Sequence, residues 1–187
     1  DPVTLVNPNE IALSSVAINN GDENTASFNV AVSLGITNTP THYKIGESAD
    51  LSAVAWQTFN ASPLSYTLSG YGTKTVYVQL KNATSISAIL SDSITAIQPV
   101  TLNSIIINNA DVSTDNKTLS VALNYSGGTP THYMVSEDSG FTTSSWIIYV
   151  NQPISYMLSN TSSGFKTIYL KLKNNVGESN IVSDTIE

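Results

Sequence analysis

The chain has no cysteine and no arginine. The first absence excludes disulfides, thiolate metal sites and a cysteine nucleophile, although it identifies no compartment. The second leaves seven lysines against fourteen acids, for a net charge of −7. An acidic chain without arginine is a poor match for phosphate backbones, so no nucleic acid is expected as a partner. Charged residues make up only 11%, well under the usual share of about a quarter. Ser, Thr and Asn supply the polar surface instead. No apolar run reaches the roughly 20 residues a membrane-crossing helix needs, so the chain as given is not expected to span a membrane. No signal peptide is visible, and Asp1 rather than Met opens the sequence. The start without Met suggests a processed or trimmed chain, which is expected to be part of a longer protein.

What is present is a repetition. Pro40-Thr41-His42-Tyr43, Glu47 and Trp56 return as Pro130-Thr131-His132-Tyr133, Glu137 and Trp146. Lys74-Thr75-Val76-Tyr77-Val78-Gln79-Leu80-Lys81-Asn82 returns as Lys166-Thr167-Ile168-Tyr169-Leu170-Lys171-Leu172-Lys173-Asn174, and Ser91-Asp92-Ser93-Ile94 as Ser183-Asp184-Thr185-Ile186. The spacing grows from 90 (42 to 132) to 92 (74 to 166), which places a two-residue indel in the turn before the Lys-Thr strand. A tandem duplication of one domain of about 90 residues follows. The boundary falls near Pro99, giving domains 1–97 and 98–187 with net charges of −4 (3 Lys, 7 acids) and −3 (4 Lys, 7 acids).

Within each copy the apolar period is two. Residues 1–10, with Pro2 and Pro8, read as a lead-in, and Pro2-Val3-Thr4-Leu5 echoes Pro99-Val100-Thr101-Leu102. Residues 13–18 read as a first strand, and Asn19-Asn20-Gly21-Asp22 as a turn that needs positive φ. Ala26, Phe28, Val30 and Val32 alternate with polar or small residues, as do Leu119, Val121, Leu123 and Tyr125 in the second copy. Val76, Val78 and Leu80 are expected to face inward, and Thr75, Tyr77, Gln79 and Lys81 outward. Residues 47–53 read as a polar connection, with Trp56 and Phe59 anchoring its far end. No window shows a helical period. The expected fold is all-β: two tandem seven-stranded β-sandwiches.

The phrase Ile168-x-Leu170-x-Leu172-x-Asn174-x-x-Gly177 resembles the penultimate strand and following turn of fibronectin type III and related immunoglobulin-like domains. Taken with Pro-Thr-His-Tyr, the Trp and the closing Ser-Asp-Thr-Ile, it is similar to bacterial immunoglobulin-like repeats of secreted and outer-surface proteins, notably of gut Bacteroidetes. The resemblance departs at Lys74 and Lys166, where fibronectin-type modules usually carry Tyr, and at Ser85, which stands in place of Gly177. It implies an immunoglobulin-like (fibronectin type III-like) sandwich, an extracellular or cell-surface location, and a role as stalk, spacer, adhesin segment or protein-binding unit. It implies no active site and no cofactor.

The candidate sites divide by chemistry. His42 and His132 stand one per domain, too few for catalysis or for a zinc site of three or four ligands, so each is expected to be a strand residue beside its proline. Glu47 and Glu137 are expected to be solvated acids. Asp22-Glu23 and Asp111 with Asp115 are of the type that holds Ca²⁺, yet they lack a dense Asp-x-Asp pattern. No nucleotide-binding, nucleophile-elbow or metalloprotease motif appears, and no enzyme is expected. Trp56 and Trp146 are expected to be mostly buried in the sandwich cores. The alternative, a carbohydrate-binding module, would use Trp56, Tyr77, Trp146 and Tyr169 as exposed aromatics, with a surface glycan or a protein as partner.

Overall fold

The computed structural model describes residues 9–150, 153–160 and 162–187. The lead-in around Pro2 and Pro8, and the Pro2-Val3-Thr4-Leu5 echo, lie outside them. The chain separates into two compact units, Asp1–Ala96 and Ile97–Glu187.

In the first unit the period-two segments become strands. They are β1 (Ala12–Ile18), β2 (Asn24–Thr25), β3 (Asn29–Thr37), β4 (His42–Gly46), β5 (Gln57–Thr58), β6 (Leu64–Thr67), β7 (Gly72–Lys81) and β8 (Leu90–Ala96). Two sheets result, with strand orders β1-β3-β6 and β2-β8-β7-β4-β5. All pairings are antiparallel except the two-residue contact of β2 with β8. Between the sheets lie Ile18, Val30, Val32, Ile45, Leu64, Val76, Val78, Leu80 and Ile94. The inward alternation leading into β3 begins at Phe28, which packs against the core, rather than at Ala26. Ala26 is exposed, because the chain has just turned aside to place Asn24 and Thr25 beside β8.

The second unit repeats the plan with β9 (Val100–Ile107), β10 (Thr118–Gly127), β11 (His132–Ser136), β12 (Ile147–Ile148), β13 (Ile154–Met157), β14 (Lys166–Asn174), β15 (Gly177–Glu178) and β16 (Val182–Ile186). Its sheets run β13-β10-β9 and β12-β11-β14-β15, with β16 also on β14. Seven strands of each unit make the sandwich, and β2 or β15 adds a two-residue accessory pairing. A three-stranded sheet facing the sheet that holds the penultimate and last strands is the immunoglobulin-like, fibronectin type III-like arrangement. The chain is therefore two such sandwiches in tandem. The Ser85/Gly177 difference has a local consequence. Gly177-Glu178 pairs with β14 as a strand, whereas the first unit has a single bridge, Lys81 to Ile86.

Several repeated polar residues fasten neighbouring segments of each sandwich. The Ile18 amide donates to Asp92 Oδ2 at 2.8 Å, and the Ile107 amide to Asp184 Oδ2 at 3.0 Å. Asn82 Nδ2 donates to the Asn9 carbonyl, and Asn174 Nδ2 to the Gln98 carbonyl, both at 2.8 Å. The Leu80 and Leu172 amides donate to Ser87 Oγ and Ser179 Oγ. Each bond satisfies a backbone or side-chain group at a strand end that no ladder reaches. Gly128 is required by the same closure, since a Cβ there would collide with the Gln98 carbonyl oxygen.

Candidate functional site

The outward face of the five-stranded sheet carries the residues that the sandwich does not use. Side chains directly opposite one another share a face. On β4 and β7 the pairs His42 with Lys81, Lys44 with Gln79 and Gly46 with Tyr77 all point away from the core. The second unit places His132 opposite Lys173, Met134 opposite Lys171 and Ser136 opposite Tyr169.

Trp56 and Trp146 lie on this outer face and not in the cores, which corrects the expectation that they are buried there. Both are half-buried and neither belongs to a core cluster. The reason is parity. Gln57 pairs with the inward Tyr43 and Thr58 with the outward His42. Trp56, one residue before Gln57, therefore alternates outward, while Phe59 turns inward and meets Tyr43 edge-on at 6.3 Å. Trp56 and Phe59 are three residues apart, so an extended chain cannot bury both on one side. Trp146 and Tyr149 repeat the relation, with Tyr149 packed on the second core.

The connection before each Trp is also more than polar filler. It folds back over the outer face and buries Leu51 (2% exposed) in the first unit and Phe141 (7%) in the second, both outside the core clusters. A Cβ on the outward Gly46 would stand 3.4 Å from Leu51 Cδ2. The turns match, with the Val54 amide donating to the Leu51 carbonyl and the Ser144 amide to the Phe141 carbonyl.

Two ammonium groups flank each indole. Lys44 Nζ and Lys81 Nζ lie 5.1 and 4.6 Å from the Trp56 ring centroid, and Lys171 Nζ and Lys173 Nζ lie 5.1 and 4.6 Å from that of Trp146. Lys81 and Lys173 are equivalent positions on β7 and β14. Lys44 and Lys171 are not. Lys44 sits on β4 opposite Gln79, and in the second unit that cross-strand pair becomes Met134 opposite Lys171. The second cation has crossed to the neighbouring strand while keeping its distance from the ring. Four of the seven lysines of the acidic chain thus gather at its two tryptophans. Lys44 also donates to the Leu51 carbonyl at 2.8 Å, and Lys171 to Glu178 Oε2 at 2.8 Å.

The remaining candidates have structural partners. His42 Nδ1 and His132 Nδ1 each lie 2.9 Å from the hydroxyl of the preceding threonine. Glu47 and Glu137 are not free solvated acids. The Ser69 amide and hydroxyl donate to Glu47 at 2.7 and 2.6 Å, and the Ser159 amide and hydroxyl to Glu137 at 2.7 and 3.2 Å. Each carboxylate thereby fastens the turn after β6 or β13 to the end of β4 or β11. Tyr66 and Tyr156 stand beside these carboxylates. Burial first, and the Glu47 or Glu137 charge second, push both phenols above their ordinary value. Lys74, in the departing position, donates to Ser69 Oγ at 2.9 Å and lies 3.9 Å from Glu47. In the second-unit loop, hydrogen bonds from the Thr142 side chain, the Thr142 amide and the Gly140 amide lower the Asp138 carboxyl to about 2.

Tyr77 and Tyr169 face outward and are half-buried. Tyr77 stands four residues from Lys81 along β7, about 13 Å at strand rise, and Tyr169 two residues from Lys171 along β14, on the same outer face as the tryptophans. Among the described residues no three His, Asp or Glu side chains gather as metal ligands, and no helix is long and apolar enough to cross a membrane. The tryptophan-flanking role of Lys44 and Lys171 was the part of the site missed in sequence, because it depends on a partner one strand away.

The chain matches no family model, and no curated protein matches it. Solved structures similar to it include a segment of two fibronectin type III domains from chicken tenascin, at 9% identity and a TM-score of 0.44, covering 94% of this chain and 98% of that one. The fibronectin(III)-like modules of Clostridium thermocellum CbhA are similar at 11% identity and a TM-score of 0.46, covering 92% and 93%. The BSP domain of a biofilm associated protein is similar at 12% identity and a TM-score of 0.31, covering 93% of this chain and 29% of that one.

Proposed function

We propose that the chain is a non-catalytic extracellular module of a bacterial surface or secreted protein, acting as spacer, adhesin segment or protein-binding unit. The observation that carries this reading is the use made of the repeated polar residues. Asp92 and Asp184, Glu47 and Glu137, Asn82 and Asn174, and Ser87 and Ser179 all bind backbone or turn groups of their own sandwich. These repeated polar residues serve the scaffold, and the outer sheet face, which carries the repeated tryptophans with Lys81 and Lys173, is left for contact with a partner.

The second reading, a carbohydrate-binding module, draws on the placement of Trp56 and Trp146 at the surface. It is weaker because two ammonium groups already lie within about 5 Å of each ring. A glycan array of the full chain separates the two. Silence is expected. A reproducible hit lost in W56A, W146A, Y77A or Y169A would favour the carbohydrate-binding reading, and turnover of any glycan would contradict the non-catalytic one. Surface location is tested by antibody labelling of intact cells of the source organism, where staining without permeabilisation is expected and its absence would count against an exposed module.

A further inference from the structure

The tryptophan clusters contain donors that nothing in their own unit takes up. Among the described residues, Lys81 Nζ and Lys173 Nζ make no hydrogen bond or ion pair and lie 4.6 Å from the indole ring centroids. The Trp56 and Trp146 ring N–H groups are equally unengaged. His42 and His132 lie directly across the strand from these lysines. Ammonium and indole N–H are donors only, so their natural partner is an acceptor-only group, a carboxylate. A neutral sugar offers hydroxyls, which both donate and accept, and it needs an open ring face.

Beside each cluster the sheet ends. The strand orders terminate at β5 and at β12, whose second edges pair with nothing among the described residues. Those edges lie one and two residues from the tryptophans. A free strand edge takes an extended peptide through main-chain hydrogen bonds, with alternate side chains falling on the outer face. In the second unit β12 also presents Ile148, 67% exposed and opposite His132. The compensated exchange of Lys44/Gln79 for Met134/Lys171 shows two cations kept at each ring by different strands.

We propose that each cluster docks an extended acidic protein segment. Its carboxylates would sit on Lys81 or Lys173 and the indole N–H, and its backbone along the free edge of β5 or β12. This inference rests on the protein-binding form of the function above and names the chemistry of the partner.

The full chain, titrated with an oligo-L-glutamate peptide, with polygalacturonate and with cellohexaose, tests it through tryptophan emission, since both tryptophans stand at the proposed sites. Oligo-glutamate should give a saturable change, weakened about tenfold as salt rises from low to high ionic strength. That change should be abolished in the double variant K81M/K173M, which keeps the side-chain stems. K117M, at an exposed position beside β10 in the other sheet of the second unit, should bind as the unchanged chain does, and circular dichroism verifies that every variant keeps its strands. No response to oligo-glutamate, or an unchanged response in K81M/K173M, overturns the proposal. Binding of polygalacturonate or cellohexaose with oligo-glutamate silent assigns the face to a glycan and also overturns it. Silence of all three probes overturns the acidic-segment proposal but leaves the spacer reading standing, whereas turnover of a probe would defeat the non-catalytic reading itself.

Discussion

Asp92 Oδ2 accepts the backbone amide of Ile18 at 2.8 Å, tying the last strand of the first sandwich to the end of its first strand, 74 residues away. Ile18 is fully buried, so without the carboxylate its amide would have no partner. D92A is expected to destabilise the first unit by about 1–3 kcal/mol, the cost of an unsatisfied buried donor. D184A should act likewise on the second unit through Ile107. Urea melts of each variant provide the check, and an effect confined to a few tenths of a kcal/mol would show that water replaces the bond.

The turn after the first strand offers a comparison between units. Gly21 has φ of +92°, and the corresponding Ala110 has φ of +70°. A Cβ in that region costs about 1–2 kcal/mol, while glycine adopts it freely. G21A should therefore destabilise the first unit by about 1 kcal/mol, and A110G should raise the melting temperature of the second. Opposite signs for the two exchanges are the expected result.

The tyrosines beside Glu47 and Glu137 predict an alkaline dependence. Tyr66 and Tyr156 have folded-state values raised above 10.0 by burial and then by the neighbouring carboxylate. The folded chain therefore holds these protons more tightly than the unfolded chain. The associated stability is complete below the unfolded value of about 10 and is lost as pH rises through the folded value. E137Q should lower the Tyr156 midpoint in an absorbance titration, because it removes the adjacent charge while burial remains. Asp138 behaves in the opposite sense. Its carboxyl, held at about 2, favours the folded loop above its ordinary value of 3.8 and gives up that preference as pH falls toward about 2. A carboxyl carbon shift midpoint near 3.8 would contradict the Thr142 and Gly140 hydrogen bonds.

Position on the sheet also sets the cost of removing tryptophan. W56A and W146A should each cost about 1–2 kcal/mol, as for partly exposed aromatics with cation contacts. L80A or L172A, at fully buried core positions, should cost about 2–5 kcal/mol. Denaturant melts that rank the tryptophans above the leucines would return them to the core.

The all-β fold was legible because period-two alternation on β7 and β14 and a twofold repetition of the sequence are local signals. The inward set Val76, Val78 and Leu80 follows from them directly. The fate of Trp56 was legible too, in its odd spacing from Phe59, but size and hydrophobicity argue for the core and the parity argument must be applied against them. Leu51 and Phe141 could not be placed, since a loop has no period to say which surface it covers. The Asp92 and Glu47 carboxylates stood out as repeated residues. Their partners, Ile18 and Ser69, are distant in sequence, and only the closed sandwich brings them within hydrogen-bond reach.

Both tryptophans lie half-buried on the outer sheet face among lysine ammonium groups, an arrangement set in a chain of net charge −7. Collisional quenching of native tryptophan fluorescence by iodide and by caesium tests it directly. Iodide is predicted to quench efficiently and caesium poorly, because Lys44, Lys81, Lys171 and Lys173 attract the anion and repel the cation. Failure of both quenchers would place the rings in the cores, and stronger quenching by caesium would place them among the acids.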